Sequence, residues 1–253
     1  MDCGQERRIP GGKILTGKRT LYYGTLAIYR GKSDEEMAAR LVAFARDIAM
    51  QRADGYIRIR AGAVVHSGRA MILPSLPNQH LPGLVALLVR GGAPYLGDDV
   101  TYIEPVMRRV YSTGLPIRLD AEDLRHFPDL EREPVSRRRR RPSPGMPTAT
   151  PRRLLTPEEI GGSAATDAPI GWIIFPSFEE GSDSRLEPLG GAEALFRFTQ
   201  GVLNLNVWTD RALLLMRELL DEVPVSKLTV GSLPDAAALL LEASPNVLGE
   251  VTT

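Results

Sequence analysis

Apolar and polar positions along this chain change period several times, and those changes mark its elements. Residues 21–29 (LYYGTLAIY) have the composition of a strand, broken or bulged at Gly24. Ser33, followed by Glu35 and Glu36, marks a helix start, and residues 37–49 carry the apolar recurrence of a packed helix. Three short strand-like runs come next, at 56–60 (YIRIR), 61–65 (AGAVV) and 70–73 (AMIL). The turn between the last two, 66–69, contains Ser-Gly, the composition of a hairpin. Residues 84–90 (LVALLVR) predict a helix with Pro82 in its first turn, where a missing N–H is tolerated, and Gly91–Gly92 ends it. Residues 93–96 then lead to the carboxylate pair Asp98 and Asp99, and 101–103 form another short strand.

The texture changes near Asp120. Residues 135–150 hold the run Arg137–Arg141 followed by prolines, a combination unsuited to a buried element and expected to be a solvated loop. Order returns at 152–161 (RRLLTPEEIG), and 170–175 (IGWIIF) predict a strand. Helices are expected at 193–205, 210–220 and 234–241, with a last strand at 224–230 (PVSKLTV). Helices following strands predict an α/β or mixed α+β core whose sheet is assembled from both sides of the arginine loop. The expected organisation is an N-terminal arm and small strand-helix cap over 1–52, and a core over 53–253 interrupted by an arginine/proline-rich loop at about 131–151.

Composition narrows the field modestly. A formal net charge of zero gives no global attraction to nucleic acid or anionic membrane, and five adjacent arginines without interleaved aromatics specify no bases. Cys3 is the single cysteine, which excludes an internal disulfide framework and a cysteine-ligated zinc cluster. The opening MDCGQERRIPGG has no apolar signal core, and no run is apolar for long enough to span a bilayer, so a cytoplasmic protein is expected.

The most informative stretch is LPSLPNQHLPGL, residues 73–84, lying between the AMIL strand and the LVALLVR helix. Together with IRAGAVVHSGRAMIL before it and RGGAPYLGDDV, RRLLTPEEIG, WIIFPSF, SRLEPLGGAEALFR and VPVSKLTVGSLPDAA after it, this order resembles the HPr kinase/phosphorylase superfamily, especially the HPr-kinase-related proteins of peptide-modification gene clusters. In that family the stretch looks like LPGPSGAGKSTL, whose glycines let backbone N–H groups wrap phosphates while the lysine and hydroxyl serve the phosphates and Mg²⁺. Here Leu81 stands for the lysine, Pro82 for the first hydroxyl residue and Gly83 for the second. Ser75, Asn78 and Gln79 complete an altered loop that has lost its usual nucleotide contacts.

The resemblance implies that Asp98 and Asp99 would carry the acid/base and metal-related role, as paired carboxylates able to position Mg²⁺ and accept a hydroxyl proton. Arg60 stands where the family often has histidine; it could clamp an anion but cannot exchange protons near neutrality. Arg185 and Glu187 fall in a segment the resemblance places near the functional face, and His80 lies inside the altered loop as a further anion-binding candidate. His66 and His126 share no recognisable metal-ligand spacing with His80, and no metal site is assigned. Trp172 and Trp208 read as packing residues rather than a stacking platform.

The expected function is therefore a catalytically altered or inactive kinase-like protein that serves as a binding or scaffold component in peptide or small-molecule biosynthesis, with a peptide or protein partner and no cofactor. The alternative is an unconventional hydroxyl kinase or other transferase that uses Asp98 and Asp99 with ATP and Mg²⁺. Homo-oligomer assembly is compatible with both.

Overall fold

In a computed structural model, which describes residues 19–75, 80–130 and 152–244, the chain divides into two compact units, Met1–Ala53 and Asp54–Thr253. Asn78, Gln79 and the Arg137–Arg141 run lie outside the described residues.

The first unit holds a hairpin, β1 (Arg19–Tyr23) and β2 (Leu26–Gly31), and a helix, α1 (Asp34–Arg52). The expected single strand over 21–29 is thus two. Gly24, at φ +59, supplies a left-handed turn residue between the strands rather than a bulge within one. Ser33 caps α1 as its sequence predicts, its Oγ accepting the Glu36 N–H at 3.2 Å.

The second unit opens with β3 (Ile57–His66), one continuous strand where the sequence suggested two, and turns tightly through Ser67 and Gly68, both at positive φ, into β4 (Arg69–Pro74). Helix α2 (Leu81–Arg90) follows, then β5 (Tyr95–Gly97), β6 (Val100–Glu104), β7 (Arg109–Tyr111), β8 (Ile117–Asp120) and a short 3-10 turn, Asp123–His126. Beyond the arginine-rich segment come β9 (Arg152–Leu155), β10 (Asp167–Phe178), β11 (Arg185–Pro188), α3 (Gly191–Gly201), α4 (Leu205–Glu222), β12 (Val225–Val230) and α5 (Leu233–Glu242). The fold class is mixed α+β.

Its centre is an eight-stranded sheet in the order β11-β12-β10-β4-β3-β6-β7, with β5 also on β3. Strand β10 runs parallel to β4 and β12, while its first residues pair antiparallel with β7, Asp167 opposite Tyr111. That second pairing joins the two ends of the β10-β4-β3-β6-β7 run. Segments from both sides of the arginine-rich stretch therefore build one sheet, as the sequence led us to expect.

Both faces of the sheet are covered, so neighbouring residues on a strand enter different cores. Val64, Met71, Trp172 and Ile174 pack with α2, α5, β8 and β9; Ala63, Ile72, Ile173 and Phe175 pack with α3 and α4. Trp172 is fully buried and its Nε1 donates to Ser226 Oγ at 3.2 Å, in keeping with a packing role. Helix α2 is buried through Leu81, Leu84, Val85, Leu88 and Val89, and it lies so close to β3 that a Cβ on Gly62 would meet Val85 at 2.5 Å. At roughly 1.5–3 kcal/mol for each such side chain removed from water, this helix is held by burial rather than by its intrinsic propensity.

Two expectations for helices need correction. The helix expected to run to residue 205 stops at Gly201, because the chain then crosses the edge of β3: Leu203 N donates to Arg58 O at 2.8 Å and Asn204 Oδ1 accepts the Arg58 N–H at 2.9 Å. Helix α4 begins at Leu205, earlier than residue 210, directly after that anchor. Among the described residues no helix is long and apolar enough to cross a membrane.

Candidate functional site

The altered loop leaves β4 beside β3. Ser75 is buried, and its N–H donates to Arg60 O at 3.2 Å. On the opposite edge of β3, Arg60 pairs with Val100 of β6, and Ala61 N donates to Asp99 O at 3.1 Å. The start of the loop, Arg60 and the carboxylate pair are therefore neighbours because three strands lie in register.

The two carboxylates of the pair differ sharply. Asp98 is buried, with Oδ1 accepting the Tyr95 hydroxyl at 3.0 Å and Oδ2 accepting the Arg118 N–H at 2.9 Å. It ties the β5–β6 turn to β8. Asp99 reaches between two guanidinium groups, Oδ1 at 3.5 Å from Arg60 Nη1 and Oδ2 at 3.5 Å from Arg118 Nη2. Sequence reasoning singled out Arg60 and Asp99 separately, and the fold brings them together; Arg118, which completes the group, was missed.

A second group gathers where the loop enters α2. His80 occupies the N-cap position without a side-chain capping bond, since its ring turns toward acidic residues after β8. Asp120, the last residue of β8, accepts the N–H of Glu122 at 2.8 Å and of Asp123 at 3.0 Å through Oδ1. Asp123 Oδ2 lies 3.4 Å from the Asp120 N–H in return, so the two carboxylates close the turn reciprocally. The other oxygen of Asp123, Oδ1, is buried and has no hydrogen-bond partner, in a residue only 3% exposed. His80 Nδ1 stands 3.5 Å from it without the geometry of a hydrogen bond, and His80 Nε2 stands 3.6 Å from Glu122 Oε2. Phe178 backs the imidazole edge-on at 6.2 Å between centroids.

Asp123 also presses on the first turn of α2. A Cβ on Gly83 would meet Asp123 Oδ1 at 2.4 Å, so only glycine lets the carboxylate lie this close. Burial raises the Asp123 pKa above its ordinary carboxylate value, and the neighbouring Asp120 charge raises it further; the Asp120 backbone N–H and His80 oppose them. Leu81, in the lysine position of the resembling pattern, is 4% exposed and packs into the core over Gly62.

The remaining sequence candidates occupy other strands and turns, except His126, which shares its 3-10 turn with Asp123. Arg185 and Glu187 sit on the edge strand β11, half exposed, and pair with each other at 3.4 Å. His66 Nε2 lies 2.9 Å from Ala243 O, and His126 ends the 3-10 turn. Asp120, Glu122 and Asp123 escaped the sequence reading although their spacing carried a signal: an Asp at the end of an alternating IRLD run, with a second Asp three residues later, resembles a capping box.

No protein-family model matches the chain, and no curated protein matches it.

Proposed function

We propose that this chain is an HPr-kinase-like protein whose nucleotide site is taken up by its own side chains. It serves as a binding or scaffold component in peptide or small-molecule biosynthesis, not as a conventional ATP-dependent kinase. The observation that carries this reading is the seat of Asp123 against Gly83 at the N-terminal turn of α2. In a phosphate-binding strand-loop-helix, free backbone N–H groups and the helix dipole hold an anion at that end. Here Leu81 turns into the core, Pro82 has no N–H to offer, and a buried carboxylate lies on the same turn. A phosphate brought within about 4 Å of the ionised carboxylate would meet a repulsion of about 4 kcal/mol per unit charge at an effective dielectric constant near 20.

The succession of β4, loop, α2 and then an Asp-Asp pair at the β5–β6 turn supports the kinase-like part of the proposal. The bonding of that pair supports its altered part. Asp98 already has both oxygens bonded, and Asp99 is held between two guanidinium groups, each at 3.5 Å.

Incubation of the purified chain with Mg²⁺, γ-labelled ATP and serine-bearing peptides tests the reading. It predicts neither phosphate release nor transfer above background. Transfer that disappears in Asp99→Asn would replace it with the enzyme alternative.

A further inference from the structure

The group at the mouth of α2 has an unmet need that neither a kinase scaffold nor local folding explains. Asp123 Oδ1 is buried without a hydrogen-bond partner, and it faces an imidazole nitrogen 3.5 Å away. Protein folds rarely leave a buried carboxylate oxygen in that condition, because stranding it forfeits its hydration. A proton donor at hydrogen-bond distance would resolve it, but His80 Nδ1 stands off at 3.5 Å. That separation suits a different arrangement: two ligands about 2.0–2.1 Å from one tetrahedral ion are about 3.4 Å apart.

We propose that His80, Asp120 and Asp123 bind one divalent transition-metal ion of the zinc class. Their ligand atoms lie within 4.8 Å of one another, and half-buried Asp120 closes the longer separations by rotating its carboxylate. His80 Nδ1 and Asp123 Oδ1 are the fixed pair. Glu122 Oε2 lies 3.6 Å from His80 Nε2, and a small approach once Nδ1 holds the ion would let it take the N–H of that ring nitrogen, the usual way a carboxylate orients a ligating histidine. One imidazole with two carboxylates favours zinc-class ions over Mg²⁺ or Ca²⁺, which prefer all-oxygen sites. Three protein ligands leave a coordination position open to water or to a partner's donor group. The proposal stands on these side chains alone and does not depend on the kinase-like reading.

Zinc chloride titrated into the chelator-stripped full chain, followed by calorimetry and by melting temperature, tests it. One saturating equivalent per chain is expected, with at least about a hundredfold loss in His80→Ala and about a tenfold loss in Glu122→Gln. His126→Ala retains the wild-type affinity, and Mg²⁺ competes only at concentrations at least about a hundredfold higher. Asp123→Asn separates a ligand from a merely structural residue, because the stripped variant melts no lower than wild type yet gains no stability from zinc. Absence of saturable zinc binding by the wild type overturns the proposal. So does unchanged affinity in His80→Ala, an equal loss in His126→Ala, a zinc response in Asp123→Asn, or magnesium binding as tight as zinc.

Discussion

Replacing Asp123 with asparagine should stabilise the metal-free protein at neutral pH and flatten its dependence on pH. The wild-type carboxylate has one oxygen on the Asp120 N–H and the other buried without a hydrogen bond. An asparagine keeps the first contact through its carbonyl oxygen. It places an amide nitrogen near His80 Nδ1, which stands 3.5 Å from the present Oδ1. Leaving a buried acceptor unsatisfied costs about 1–3 kcal/mol, so a net gain of about 1 kcal/mol remains after imperfect packing of the amide. In a unit of this size that corresponds to a rise of about 2–4 °C in Tm. The pH window follows from the direction of the shift. The folded-state pKa of Asp123 lies above its ordinary value of 3.8, so between the two the folded protein binds more protons than the unfolded chain. The contribution is fully present below the ordinary value and is lost as pH rises through the raised one. Urea unfolding in the presence of chelator, from the acid limit of folding to pH 8, should therefore show wild type and variant converging in acid and diverging toward neutrality, with the variant more stable. A constant offset at every pH, or a variant less stable at neutral pH, would refute the reasoning.

Other substitutions probe the same architecture. Gly83→Ala should cost about 1–3 kcal/mol by driving a methyl into Asp123 and Leu233, and the cost should shrink in an Asp123→Ala background, a coupling read from a double-mutant cycle of urea midpoints. Leu88→Ala, in the fully buried face of α2, should cost about 2–5 kcal/mol by the same measurement. Asn204→Ala should cost about 1–3 kcal/mol, because it strands the Arg58 N–H and leaves the Tyr56 carbonyl with the Trp208 indole N–H as its remaining donor, and hydrogen exchange at Arg58 should accelerate.

Local signals in the sequence proved legible where chain neighbours decide the outcome. Ser33 ahead of a glutamate pair, Ser67–Gly68 between two apolar runs and Pro82 before LVALLVR each carry their own cause, and each appears where expected. Long-range contacts decided the rest. Nothing in GVLNLN announces that Asn204 will bond Arg58 and Tyr56 and end a helix early, since those partners lie about 146 and 148 residues away. The candidate site divides the same way. Arg60 and Asp99 were visible as residue types, while their pairing depends on the register of β3 with β6. His80 was visible in the loop, but its acidic neighbours arrive through β8, whose pairing with β9 spans the arginine-rich segment.

The proposed function turns on the first turn of α2 receiving no nucleotide phosphate. Calorimetric titration of Mg-ATP into the purified chain tests it most directly. The account predicts no saturable heat up to millimolar nucleotide, in wild type and in Leu81→Ala alike. Metal-dependent binding in the micromolar range would contradict it.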